Sequence, residues 1–427
     1  MQQREVHRWT RIPPTPGCSP CSNAARVALL RLSFAISLAA FGCASAPVPV
    51  QKMALDAEFL IRVNDEVRTV NADQLFAQAR QELDDAAYQD CARNFDTLWQ
   101  NLPGSEYEIA SIYNAGLCHE QLANWELAAE RYLRLLALQA NSRDALDATF
   151  RLAECDANSS NWERVATHMQ RLLEREDLRH LDKTEASYRL GMAQIALGQY
   201  DDAEQSFRAS LKRNRLAGTA RIANTHYFVS GAYYGIALAY HLRFSRIRFR
   251  LPEERMKEDL EVKRSLAKSA YSAYIDTVNQ RNHFWGILSG YMVGKLFEDF
   301  YYDLLTAEVP PELEGEELRD YFLALREDFR PLLDEALIAY ETTAKTSVRL
   351  GIENEWATAS DERLQRLRQY MDDESALRQE EQAIAEWSRQ VREIEESRAQ
   401  SPNSELLVPP PPPPMPVAKA AAPAQSH

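Results

Sequence analysis

Glycine is scarce in this chain, with 14 residues in 427, and cysteine is scarcer still, with six. Six cysteines in so long a chain do not make a disulfide framework. The motifs of catalysis are missing as well. There is no HExxH helix, no GxSxG elbow, no glycine-rich phosphate loop and no dinucleotide fingerprint. The eight histidines are scattered, and His119-Glu120 has no second ligand at a useful spacing. The chain therefore reads as a non-enzyme with no cofactor and no metal site. Positive charge is also short: 49 Lys and Arg against 63 Asp and Glu leave a net charge of −14. A chain this acidic has no general attraction to phosphate backbones, which excludes nucleic acid as an expected partner. The apolar run Leu32–Phe41 is too short to span a bilayer, which takes about 20 apolar residues.

What is present is helix-forming sequence. The interior is rich in Ala, Leu, Glu, Arg and Gln, and 45% hydrophobic content is enough for one large or two modest cores. The N-terminus is different. Arg26 and Arg31 precede the Leu32–Phe41 run, and small residues follow it. That order is the pattern of a secretory signal peptide, expected over residues 1–42. Residues 1–26 suit such a signal poorly, which places the expected translation start near Val27 and removes the lone Cys18-x-x-Cys21. Ala40-Phe41-Gly42-Cys43 resembles the bacterial lipobox, in which the signal is cut before a lipid-modified cysteine. The resemblance makes Cys43 the lipid attachment residue, and Ala44 after it favours the outer membrane. The competing reading is a short hydrophobic helix with an incidental cysteine. Residues 43–70 read as a linker, beginning with the flexible stretch "ASAPVPVQK".

A repeat lies in the aromatic spacing. Tyr88, Trp125, Trp162 and Tyr200 follow one another by 37, 37 and 38 residues. Nine residues before each stands a small side chain: Ala79, Gly116, Ala153 and Gly191. Seven residues after each stands Phe95, Tyr132, Met169 or Phe207. Small and large side chains recurring in this order suit two helices that cross closely. Ala128 and Gly191 are expected where adjacent units touch. The segments "AGLCHEQLANWELAAERYLRLL" and "LGMAQIALGQYDDAEQSFRASL" resemble the tetratricopeptide repeat (TPR). The period exceeds the family's roughly 34 residues, and the usual early Trp is absent. The resemblance implies an all-α fold, a right-handed α-α superhelix of TPR-like helix hairpins, with four repeats over 71–215. It also implies a groove lined by the first helix of each pair. Phe76, Tyr113, Phe150 and Tyr188 would then form an aromatic ladder, edged by Asp73, Asp147 and Glu185. The alternative is that these rings pack on the chain's own helices and close the groove. Cys118 and Cys155 share one repeat position and read as core thiols, with a disulfide open in an oxidising periplasm.

Residues 216–350 read as divergent helical repeats. Within them "RFSRIRFRLPEERMKEDL" alternates Arg243, Arg246, Arg248 and Arg250 with apolar residues. It is either a strand-like docking edge or a loop whose arginines pair with Glu253, Glu254 and Glu258. Residues 351–400 read as a charged helix. Leu377, Ile384, Trp387, Val391 and Ile394 make a short heptad seam, either a coiled coil or one helix folded back on the solenoid. Residues 401–427 form a Pro-rich tail, expected to be disordered or extended.

The functional expectation is a non-catalytic scaffold or adaptor lipoprotein of a bacterial envelope machine. It would face the periplasm from the outer membrane and bind envelope proteins through the groove. The layout, with "GIENEWATAS" at 351–360, resembles the TPR lipoproteins of bacterial gliding motility. Two alternatives stand beside it. One is a lipoprotein assembling outer-membrane proteins or secretins, and the other is an accessory subunit of a peptidoglycan enzyme.

Overall fold

The computed structural model describes residues 58–63, 66–140, 142–218, 223–400 and 409–413. The expected signal peptide over 1–42, Cys18, Cys21 and Cys43 lie outside the described residues. The chain divides into two compact units, up to Arg171 and from Leu172 onward, and each is taken by itself.

The first unit opens with strands β1 (Glu58–Val63) and β2 (Glu66–Asn71), paired antiparallel with Phe59 opposite Val70. Phe59 is buried against Ala72 and Ala79 in the core that follows. Strands β1 and β2 thus belong to the folded unit, within the span where a linker was expected over 43–70. Helices α1 (Ala72–Asp84), α2 (Tyr88–Asn101), α3 (Glu108–Gln121), α4 (Trp125–Leu138), α5 (Arg143–Asn158) and α6 (Trp162–Glu174) follow. The aromatic residues of the repeat each open the second helix of a pair. Two residues earlier stands a left-handed turn residue, Ala86, Ala123 or Ser160, at φ of 59°, 55° and 60°. This conformation reverses the chain between helices and disfavours a Cβ. At Gly116 the hairpin closes so tightly that a Cβ would stand 2.7 Å from the Tyr132 ring. The recurring small residue therefore receives the large ring 16 positions later, within one hairpin.

The second unit contains α7 (His180–Ala196), α8 (Tyr200–Leu216), α9 (Ala223–Phe244), α10 (Glu253–Asn279), α11 (His283–Leu305), α12 (Gly315–Leu350), α13 (Glu355–Asp372) and α14 (Glu374–Gln400). Each helix packs on the next up to α14, and α9 also packs on α7, α11 on α9, and α13 on α11. Alternate helices thus form one layer, as in TPR-like superhelical repeats, and the hairpin pattern continues beyond the aromatic register. Phe207 of α8 is held between two glycines: a Cβ on Gly191 of α7 would stand 2.6 Å from its ring, and one on Gly235 of α9 would stand 2.3 Å away. Gly191 accordingly serves the inside of its own hairpin, and Gly235 provides the close approach between neighbouring pairs.

Three expectations change here. The insertion after α9 is a loop with no strand in it, and its arginines do not take the nearby glutamates. Arg243 pairs with Asp201 and Glu204, Arg248 with Asp303, and Arg250 with Glu395. Arg246 lies over the Tyr200 ring, 4.3 Å from its centroid. Lys263, fully buried, explains the loop's path. Its Nζ donates to the carbonyls of Phe244 (2.9 Å) and Ile247 (3.0 Å), and lies 2.7 Å from Asp303. An ammonium buried this deeply requires several acceptors, and the end of α9 and the loop main chain supply one each. Residues 351–400 form two helices, broken at Asp373. Ile384, Trp387 and Val391 of the seam are buried within this chain, and Leu377 and Ile384 pack with Phe322, Leu333 and Leu364. The coiled-coil reading gives way to a helix folded back on its own unit, with Arg326 of α12 paired to Glu380 and Glu381.

Candidate protein-binding surface

The expected aromatic ladder does not form as one open row. In the first unit Phe76 is half-buried, edge-on to Phe95 at 5.5 Å and beside Tyr107 at 5.8 Å. Tyr113 is half-buried against Tyr132, with ring centroids 5.9 Å apart. Phe150 is 9% exposed. In the second unit Tyr188 is fully buried among Phe207, Tyr227, Phe228 and Trp285. The reason is the long aromatic helices that follow it. α9 comes so near at Gly231 that a Cβ there would stand 2.6 Å from Tyr188 and 2.8 Å from Trp285. Phe150 and Tyr188 are core residues and leave the candidate site.

The carboxylates are distributed differently. Asp73 is exposed and accepts a 2.5 Å hydrogen bond from the Tyr107 hydroxyl, which pushes the phenol up to about 12. Asp147 lies 3.6 Å from Arg143 and is half-exposed. Glu185 accepts from Arg189 Nε at 2.8 Å. Arg151 of α5 donates to Glu120 of α3 at 2.9 Å and also hydrogen-bonds Tyr113. Consecutive first helices of the first unit are therefore laced by polar bonds, Asp73 to Tyr107 and Arg151 to Tyr113 and Glu120. The edge these bonds leave carries half-exposed rings, Phe76, Tyr107 and Tyr113, beside the carboxylates of Asp73 and Asp147.

A second polar pattern runs through the repeats. The residue three after each small residue faces the residue six after each aromatic. Asn94 donates to Glu82, His168 lies 3.3 Å from Asp156, and Ser206 donates to Gln194. In the second repeat both positions are basic, His119 and Arg131, and a carboxylate from the preceding repeat joins them. Asp96 of α2 accepts from Arg131 at 2.8 and 3.0 Å and from Trp99 at 2.8 Å, and lies 3.2 Å from His119. Burial by itself would raise the Asp96 pKa, but these donors outweigh it and hold the carboxyl well below the usual range. Beside it a Cys91–Cys118 disulfide joins α2 to α3, with Cα atoms 6.1 Å apart, while Cys155 is a buried free thiol. The separation of 12 between paired polar positions was visible in the sequence; the sharing of Asp96 was not.

In the second unit His241 is buried on α9. His241 lies 3.1 Å from the Tyr274 hydroxyl and 3.3 Å from Asp299. Burial lowers its pKa although Asp299 opposes this. Placed between α9, which carries it, and α10 and α11, it is a packing element. Among the described residues no three His, Cys, Asp or Glu side chains gather as metal ligands, and no helix is long and apolar enough to cross a membrane.

No protein-family model matches the sequence, and neither does any curated protein. Solved structures do match. One is a crystal structure of a kinesin light chain protein with nearly identical TPR-like repeats from Podosopora anserina, at 14% identity, covering 45% of this chain and 93% of that one, with a TM-score of 0.34. Another is a tetratricopeptide repeat protein from Parabacteroides merdae, at 14% identity, covering 69% of this chain and 97% of that one, with a TM-score of 0.34.

Proposed function

We propose that this chain is a non-catalytic scaffold lipoprotein of a bacterial envelope machine, with gliding motility as the process its layout resembles. It would sit on the periplasmic face of the outer membrane through Cys43 and hold partner proteins on the first-helix edge of residues 72–158. The observation that carries the reading is that edge. Its helices are braced from behind by hairpin packing, while Phe76, Tyr107 and Tyr113 stay half-exposed beside Asp73 and Asp147. Rings of this kind anchor protein interfaces, and the carboxylates favour a partner segment bearing Lys or Arg. The Cys91–Cys118 disulfide supports export, because such bonds persist in oxidising compartments and are rare in the cytosol.

One experiment tests both halves: capture from cross-linked cell envelopes with the native chain, Cys43→Ser, and the pair Asp73→Lys with Asp147→Lys. The native chain should partition with membranes, incorporate labelled palmitate and capture envelope proteins. Cys43→Ser should become soluble and unlabelled. The charge-reversed pair should stay anchored and helical but lose captured protein about tenfold, a loss of roughly 1.4 kcal/mol. Capture by the native chain should weaken with salt, since exposed charges are screened over about 8 Å at physiological ionic strength. Unchanged partition of Cys43→Ser overturns the anchor, and unchanged capture by the charge-reversed pair overturns the edge.

A further inference from the structure

The tail read as an extended proline run makes a specific contact. Trp387 of α14 is 8% exposed, and its indole Nε1–H donates to the carbonyl of Pro410 at 2.8 Å. Pro410 lies in Pro409–Pro413, a stretch with neither helix nor strand. Successive prolines have fixed φ and no N–H, so they favour polyproline II and leave their carbonyls without partners inside the segment. An indole offers a flat apolar ring and one donor, the two features with which aromatic grooves recognise polyproline II. The chain length permits this return. Trp387 lies 13 residues before the end of α14 at Gln400, about 20 Å along a helix. The eight residues 401–408 reach up to about 26 Å.

α14 also holds the main chain at Val309, which lies outside helix and strand. The Val309 N–H donates to Ser388 Oγ at 3.1 Å, and Arg392 donates to the Val309 carbonyl at 2.9 Å. Pro310-Pro311 follow directly. Trp387, Ser388 and Arg392 thus present two donors and one acceptor to main chain outside helix and strand.

We infer that the Trp387 edge of α14 is a polyproline II acceptor, loaded in cis by Pro409–Pro413, with the tail acting as an internal competitor against a proline-rich segment of a partner protein. The inference depends on neither the lipid anchor nor the first-helix edge. It also gives the tail a role: while docked it covers a tryptophan that a partner would use.

The test is fluorine NMR of the full chain labelled with 5-fluorotryptophan, with the Trp387 resonance assigned by Trp387→Phe. Replacing each of Pro409, Pro410, Pro411, Pro412 and Pro413 by Gly should shift that resonance. A proline hexapeptide added to the glycine variant should return it toward its native position. The native chain should need about tenfold more peptide for the same change, because its own tail is held at high effective concentration. A Trp387 resonance unmoved by the glycine substitutions overturns the docked tail, as does one that is unmoved by peptide in the glycine variant. A native resonance that varies with protein concentration assigns the bound tail to a second copy and overturns docking in cis.

Discussion

Gly191 shows how one hydrogen atom in place of a side chain sets a helix crossing. The Phe207 ring occupies the space a Cβ would need, at 2.6 Å, and the ring is fully buried with Gly235 on its far side. Gly191→Leu should therefore overpack the hairpin and cost about 1–3 kcal/mol, read as a lower urea midpoint; a variant unfolding like the parent would place residue 191 outside the packed face. Asp96 is the corresponding case for charge. Its carboxyl is held low by the donors around it, so ionised Asp96 contributes stability above the unfolded carboxylate pKa of about 3.9, and that contribution is lost as pH falls toward the lower folded value. The urea midpoint of the native chain should fall as pH drops below about 4. Asp96→Asn should be less stable at pH 7 by about 1–3 kcal/mol and show a flatter acid limb. An equally steep limb in the variant would assign the acid sensitivity to other carboxylates.

Among elements, the α2–α3 junction is fastened by the disulfide and by His119 beside Asp96. Closing a loop with a sequence separation of 27 stabilises by about 3.5 kcal/mol in the chain-entropy account. Reductant, or Cys91→Ala, should raise amide exchange in α2 and α3, while Cys155→Ala should leave the reductant effect intact. Peptide mapping without reductant should recover Cys91 joined to Cys118, and free thiols at both positions would remove the bond from the account. The insertion after α9 is fastened another way. Its arginines find carboxylates on α8, α11 and α14 because Lys263 draws the loop main chain down onto Asp303. Pairing to the adjacent glutamates was the local expectation, and tertiary structure overrode it with partners distant in sequence.

For the whole molecule, the class of fold and the rhythm of the first eight helices are legible in the order of the amino acids. Small residue, aromatic and second large residue recur at constant spacing, and each governs a contact inside its own hairpin, so local periodicity is enough to read them. It also announced the amphipathic character of α14, since an apolar seam at heptad spacing must face something. Which apolar and charged groups meet across long separations is set by packing and is not legible there. The first-helix rings carry the same residue types at the same register, yet Tyr188 is closed over by α9 and α11 while Tyr113 keeps part of its surface, because burial depends on the neighbours a later segment brings. The docking of residues 58–71, the partner of Trp387 and the sharing of Asp96 between repeats have the same origin. A periodic pattern reports which face of a helix is apolar, and the identity of whatever covers that face is a property of the packed chain.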